Sequence, residues 1–375
     1  MANVSKLLHT TADPENFLAN LDVDPGPLLV ARKKIRERLR RDFAQGSEAL
    51  FERVVQPRFF TQGSFAYKTL NEPVWTPRQQ KDLDDGCYLP LSFVRGERPS
   101  KAAKLFFDFV DESLSRLARE EGWSHKTKPT CVRLVIAHDA HVDVPLYAIP
   151  DREFALLEAH AVAKRMTVAS AKFDSWTDLP HDSVLLAHRE KDWVESDPRK
   201  IHRWFVDAVE NVFGERLRRD SRYLKAWRDY HRLDDQGLTS IVLMACAWKA
   251  CESIRAPFLR DREDERLLQI VERLPSLFSQ EVKIPPCGVE DLNRMSAEQR
   301  QVVVNDVGSL RDRLRSVISS CNEENEAVDL MQVILGDRVP DRPDLVSIST
   351  PAAAAVLSQP KKVVPAPVVG RSESG

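Results

Sequence analysis

An aspartate sits inside an otherwise apolar run, His141-Val142-Asp143-Val144-Pro145-Leu146-Tyr147-Ala148-Ile149-Pro150. β-Branched residues on both sides read as a strand, and an unpaired acid buried in such a run costs several kcal/mol. Any fold that accepts the segment must bring a metal or a partner charge to Asp143. Strand side chains alternate, so His141, Asp143 and Pro145 share one face and Val142, Val144 and Leu146 the other. A second segment has the same character: Asp82-Leu83-Asp84-Asp85-Gly86 heads the apolar run Tyr88-Leu89-Pro90-Leu91. There Asp82 and Asp84 point one way while Leu83 turns into a core. Upstream, Gln62-Gly63-Ser64 follows Phe59-Phe60 at a point where the chain turns into a helix. Free N–H groups at a helix start hold phosphate oxygens, and glycine permits their close approach.

Each piece alone is weak, since a D-x-D-D-G stretch is commonly a turn or a calcium-like surface loop and Gly-Ser says even less. Order and context strengthen the set: Gly-Ser first, then the acid pair at the head of an apolar run, then the third acid inside Val-Asp-Val. Together they suit transfer of a nucleotidyl group to a hydroxyl. That reaction holds a triphosphate in line with an attacking oxygen, and hard divalent cations bridged by carboxylates are the usual device. Asp82 and Asp84 fit as bridging ligands, and Asp143 as a further ligand or as the base that draws the proton from a 3′-hydroxyl.

Gln62-Gly63-Ser64-Phe65-Ala66-Tyr67, Asp82 to Gly86 and His141 to Pro150 resemble the bacterial cGAS/DncV-like nucleotidyltransferases. Trp193 to Pro198, Arg222 to Asp229 and Thr239 to Ala245 continue the resemblance in the same order, over roughly residues 25–335. It implies an α+β fold: a Pol β-like nucleotidyltransferase core lobe with a mixed sheet, a helical C-terminal lobe, and an active site in the cleft between them. Residues 1–195 are expected to form the first, 196–339 the second, and 340–375 a flexible tail. The implied activity is a cyclic dinucleotide synthase that joins ATP and GTP into 3′,3′-cyclic GMP-AMP with release of pyrophosphate. The product is a second messenger for an effector in anti-phage (CBASS) signalling. By motif match, Asp82, Asp84 and Asp143 bind a pair of Mg2+ ions, or Mn2+ in their place. Gln62, Gly63, Ser64 and Lys225 contact phosphates, and Tyr67, Ser196, Asp197 and Ser240 lie near the bases or the donor nucleotide. The residues themselves leave other roles open. Asp197-Pro198 is a sound helix start and Thr239-Ser240 can cap the next helix; Lys225 can be solvated and Tyr67 can be core. Residues 151–190 and about 280–297 match the family least. Two other functions compete: a template-independent RNA nucleotidyltransferase, which uses the same acids, and a nucleotide-sensing protein without turnover, which has no need of all three.

Elsewhere, a helix from about Pro27 to Phe43 lines up Ala31, Ile35, Leu39 and Phe43, with Arg32, Arg36 and Arg40 on a neighbouring stripe. Their guanidinium groups repel unless acids or an anion lie opposite. Pairing with acids of another helix is one reading; a regulatory site for a polyanion or RNA, completed by Arg58, is the other. A further helix is expected from about Ser100 to Glu120, strands at 130–137 and 141–149, and helices from about 198 onward, one opened by the capping-box spacing Ser296-Ala297-Glu298-Gln299. A net charge of −2 argues against a chain that coats nucleic acid. The six cysteines show no metal spacing, no signal peptide opens the chain, and no apolar stretch reaches the about 18 residues that span a membrane. A cytoplasmic location is expected. The last segment is rich in Ala, Pro, Val and Ser, too poor in large apolar residues to pack. It is either an inert terminus or, by the resemblance, a tail whose last residue, Gly375, ubiquitin-like E1/E2 partners attach to targets.

Overall fold

The two acid-bearing segments lie side by side as neighbouring strands in the computed structural model, and the sheet is assembled about them. The structure describes residues 1–51, 54–93, 99–166, 184–254 and 262–349. The chain opens with β1 (Ala2–Asn3), α1 (Ser5–Leu8) and α2 (Phe17–Asn20), then the long α3 (Gly26–Phe51). β2 (Arg58–Gln62), the single turn α4 (Gly63–Ala66) and β3 (Lys81–Pro90) follow, then α5 (Pro99–Glu121), β4 (Ser124–Thr127), β5 (Cys131–Ala137) and β6 (Ala140–Ile149). α6 (Asp151–Met166) and the strands β7 (Leu185–His188) and β8 (Asp192–Glu195) complete this part. The rest is helical: α7 (Pro198–Asp207), a π-helical stretch (Ala208–Phe213), α8 (Glu215–Tyr230), α9 (Ser240–Ser253), α10 (Glu263–Val271), α11 (Leu274–Phe278), α12 (Ala297–Ser320) and α13 (Glu324–Leu335), before a last strand β9 (Ser347–Ile348).

The seven-stranded sheet runs β2-β3-β6-β5-β4, with β7 pairing to β6 and β8. β3 and β6 are parallel and the other pairs antiparallel, so the sheet is mixed. One face is apolar: Leu83, Val142 and Val144 meet Ile35, Leu39 and Phe43 of α3 and Phe106, Val110 and Leu114 of α5. The stripe on α3 is the expected one, on a helix that runs on to Phe51. Ser296 forms the expected capping box with Gln299 at the head of α12.

A second core lies among the helices, around Leu224, Trp227, Leu243 and Met331. The first residues of the chain belong to this core and not, as expected, to the nucleotidyltransferase lobe. Leu7, Leu8, Phe17 and Leu21 are fully buried in it, Phe17 stacks on Tyr223 at 5.8 Å, and Ser5 Oγ donates to Asp264 Oδ1 at 2.6 Å. The other end differs too. Residues 340–349, expected to open a flexible tail, are packed: Leu345 and Val346 are buried, Arg342 pairs with Asp13 at 2.6 Å and Glu15 at 2.8 Å, and β9 pairs with β1. Gly375 and the rest of 350–375 lie outside the described residues.

The segment between α4 and β3 clasps the two cores together. Asn71 and Arg222 exchange two hydrogen bonds of 2.9 Å, Trp75 Nε1 donates to Tyr230 O at 3.1 Å, and Lys225 Nζ donates to Thr69 O at 2.5 Å. These bonds tie α8 to the segment that leads into β3, near enough to the acids that Lys225 feels the charge of Asp82 across the cleft between the two cores. Among the described residues no helix is long and apolar enough to cross a membrane. Phe17→Ala is expected to cost about 3–5 kcal/mol. Denaturant unfolding with hydrogen exchange checks it, and protection should fall in α8 before it falls in the sheet.

Candidate active site

Register brings the polar residues into one row. Gln62 on β2 pairs with Asp84 on β3, Asp84 with Asp143 on β6, and Asp143 with Arg133 on β5. Residues paired across strands share a face, so this row opens on the cleft. One step along, Asp82 pairs with His141. Ligand atoms of Asp82, His141 and Asp143 all lie within 4.8 Å of one another. The closest cluster therefore includes His141, which the sequence reading placed on this face but not among the ligands. The His-x-Asp alternation was the available signal.

Charge is unevenly settled here. Asp143 takes both ends of the Arg133 guanidinium, Nε to Oδ1 and Nη2 to Oδ2, each at 2.7 Å. His141 Nδ1 bonds Gln80 Oε1 at 3.0 Å, which turns Nε2 of the ring toward Asp82. Nε2 stands 3.0 Å from Asp82 Oδ1, an ion pair when the ring is protonated, and both atoms are buried without a hydrogen bond. With the ring neutral, two lone pairs face one another there and a cation can bridge them, and a histidine held through its other nitrogen is the common arrangement at metal sites. Asp84 is held well above the usual carboxylate range, by burial first and then by Asp82 and Asp143. A divalent cation relieves that repulsion. Carboxylates with one imidazole suit a divalent metal, so the residues fit one.

Gly63 is required twice over. Its φ is +71°, and a Cβ there would stand 2.1 Å from Asp84 Oδ2. The next residues carry the backbone of α4, which begins at Gly63 against the acid row. Gln62 is buried, donating from Nε2 to Tyr147 Oη at 3.0 Å. Tyr67 is core, its ring 5.6 Å from His202 and 5.8 Å from Phe205. Burial and the neighbouring Asp84 push its hydroxyl pKa up.

Across the cleft, Lys225 is buried rather than solvated. Burial chiefly, then Arg228 and Arg222, lower it to about 7 against the pull of Asp229 and Asp82. Ser240 Oγ accepts from Arg228 Nη1 at 2.9 Å, while Thr239 caps α9. Asp197 caps α7 and binds Arg199 through both oxygens at 2.9 and 2.8 Å, so its carboxylate serves the helix start. Ser196, next to it, is half-buried and donates its N–H to Val184 O at 3.1 Å.

The arginine stripe lies on the opposite face of the sheet. Its acid is a strand residue: Arg36 grips the fully buried Asp85 through Nε at 2.6 Å and Nη2 at 2.5 Å. Arg32 donates to Thr61 Oγ1 at 3.0 Å, and Arg40 stacks on Phe59 at 5.1 Å. Asp85 alternates with Asp84, so one strand sends acids to both faces, and α3 neutralises the inner one. Arg58 does not complete this stripe. It alternates with Phe59 and falls with Phe60, which packs on His202, on the cleft side.

Comparison with known proteins agrees with this arrangement. A family model for the nucleotidyltransferase domain of cyclic GMP-AMP synthase DncV-like proteins matches residues 57–147, and one for the cyclic GMP-AMP synthase C-terminal domain matches 214–348. The chain is 34% identical over 331 residues to a cyclic GMP-AMP synthase of Vibrio cholerae, covering 82% of this chain and 74% of the other. A cyclic GMP-AMP synthase from Escherichia coli is 32% identical over 332 residues, covering 82% and 73%. Among solved structures, Vibrio cholerae DncV in complex with the linear intermediate 5′ pppA(3′,5′)pG superposes with a TM-score of 0.76 at 27% identity, covering 93% of this chain and 99% of that one.

Two outcomes are expected. Gly63→Ala displaces the Asp84 carboxylate and lowers nucleotidyl transfer by about a hundredfold or more, with the fold retained by circular dichroism. A bound triphosphate favours the charged form of Lys225, whose folded pKa is depressed, so binding takes up a proton above about pH 7. Triphosphate affinity then falls as pH rises from about 7 to about 9, by up to about tenfold per unit. Titration with a non-hydrolysable nucleotide reads the slope, and Lys225→Met should abolish it.

Proposed function

The chain belongs to the DncV-like nucleotidyltransferases and is a cyclic dinucleotide synthase of that family, and we propose that it joins ATP and GTP into 3′,3′-cyclic GMP-AMP. The observation that carries the reading is the cleft-facing row, in which parallel pairing of β3 and β6 sets Asp84 beside Asp143 and Asp82 beside His141.

On this reading Asp82, Asp84 and Asp143 hold a pair of divalent cations, Mg2+ or in its place Mn2+, with His141 adjoining. Bound there, such cations neutralise the triphosphate and the departing pyrophosphate. Gly63 lets the α4 backbone approach the phosphates, where N–H groups of Gly63 and Ser64 donate. Lys225 supplies positive charge from the helical side. In each of the two rounds a 3′-oxygen bonds to an α-phosphorus, the bond from that phosphorus to the bridging oxygen breaks, and pyrophosphate leaves. The hydroxyl proton passes to the Asp143 carboxylate. Tyr67, Ser196, Asp197 and Ser240 line or brace the walls against which the bases sit. The product serves an effector in anti-phage signalling.

The test is to incubate the purified protein with Mg2+ and labelled ribonucleoside triphosphates, singly and in pairs, and to identify phosphatase-resistant products by mass spectrometry. A resistant dinucleotide that needs ATP plus GTP, and that falls to background with Asp82→Ala, Asp84→Ala, is expected. A ladder of linear oligomers would instead make the protein an RNA nucleotidyltransferase.

A further inference from the structure

Arg133 stands directly opposite Asp143 in the antiparallel β5–β6 pairing. Its guanidinium occupies both carboxylate oxygens at 2.7 Å. Asp82, in contrast, keeps an oxygen with no hydrogen bond. The acids are thus unequally prepared: that oxygen of Asp82 stands 3.0 Å from His141 Nε2 with no guanidinium on it, whereas both oxygens of Asp143 are taken. The pair is set by the sheet register, so only the arginine side chain can give way. That side chain is 24% exposed against 9% for Asp143, which leaves the guanidinium a path into the cleft.

We propose that Arg133 masks Asp143 until a nucleoside triphosphate arrives, and that the phosphates then draw the guanidinium away, so that the complete metal set forms only on the loaded enzyme. The inference rests on the nucleotidyltransferase reading above and deepens it. A planar guanidinium fork matches carboxylate and phosphate alike, so the exchange trades one bidentate partner for another. A guanidinium and a divalent cation compete for the same lone pairs. Each supplies the positive charge that Asp82, Asp84 and Asp143 need when held together, and one replaces the other without leaving the acids uncompensated. Because linkage is reciprocal, a nucleotide that removes the mask raises metal affinity, and metal raises nucleotide affinity by the same factor.

The test measures Mn2+ binding to the full-length protein by the electron paramagnetic resonance signal of the free ion, with and without a non-hydrolysable GTP analogue. Wild type is expected to bind Mn2+ weakly alone and tightly with the analogue. Arg133→Gln should bind Mn2+ about tenfold tighter than wild type without nucleotide, with a correspondingly smaller gain on adding the analogue. Arg133→Lys keeps the charge but not the fork, and should also gain affinity, by about threefold. That gain separates release of the carboxylate from simple loss of a positive charge. If Arg133→Lys and Arg133→Gln both match wild type or bind Mn2+ more weakly, masking is wrong, while a loss of Mn2+ binding in Asp82→Asn leaves the metal site standing. If Asp82→Asn changes nothing in any form, the metal site itself is absent and both readings fall.

Discussion

Carboxylates of like charge, forced together by the parallel pairing of β3 and β6, are the constraint around which the molecule is organised. Asp84 and Asp143 are opposed in register and Asp82 lies one alternation away, so their mutual repulsion is built into backbone geometry. Such a cluster persists only where positive charge is at hand. The protein supplies it from more than one direction: Arg133 from the neighbouring strand and, on the far face, Arg36 for Asp85, while Lys225, lowered to about 7, adds its charge from the helical side once it is protonated. Gly63 answers the same pressure sterically, by leaving the Asp84 carboxylate the room a side chain would take.

The acids themselves were legible in the sequence because alternation is a local property: Asp82 and Asp84 two apart, Asp143 between valines. What depends on pairing was not legible. Arg133 lies within an expected strand, but its place opposite Asp143 follows from the β5–β6 register, which shifts between Val135 and Ala137. A slip of one residue would set Val132 or Leu134 there instead. Asp85 as the partner of Arg36 was hidden for the same reason, since 49 positions separate them. His141 was visible on the right face, yet only the neighbouring strand shows that its free nitrogen meets Asp82.

The ends of the chain show a different limit. α1 and α2 have four residues each, too short for a helical period to declare itself. Their place in the helical core comes from tertiary contact alone, through Phe17 against Tyr223 and Ser5 against Asp264. Residues 340–349 resemble the composition that follows them, and Leu345 and Val346 are buried in the helical core just before β9 pairs with the first strand. Two segments from opposite ends of the chain, neither with a strong local signal, stabilise one another.

That mutual support has a mechanical side. β1 and β9 run antiparallel, with Ser349 N donating to Met1 O at 2.9 Å and the Met1 amino group to Ser349 O at 3.1 Å. A pull on the chain beyond Ser349, against a fixed first residue, loads these bonds in succession, as in opening a zipper, and not all at once, as in shearing a long pair of strands. The ladder is two residues long on each side, so it yields at low force. Arg342, tied to Asp13 and Glu15, is the next point of resistance before the helical core is reached. Tension on whatever follows residue 349 is thereby spent at the chain ends, with the acid row carried on a sheet of its own.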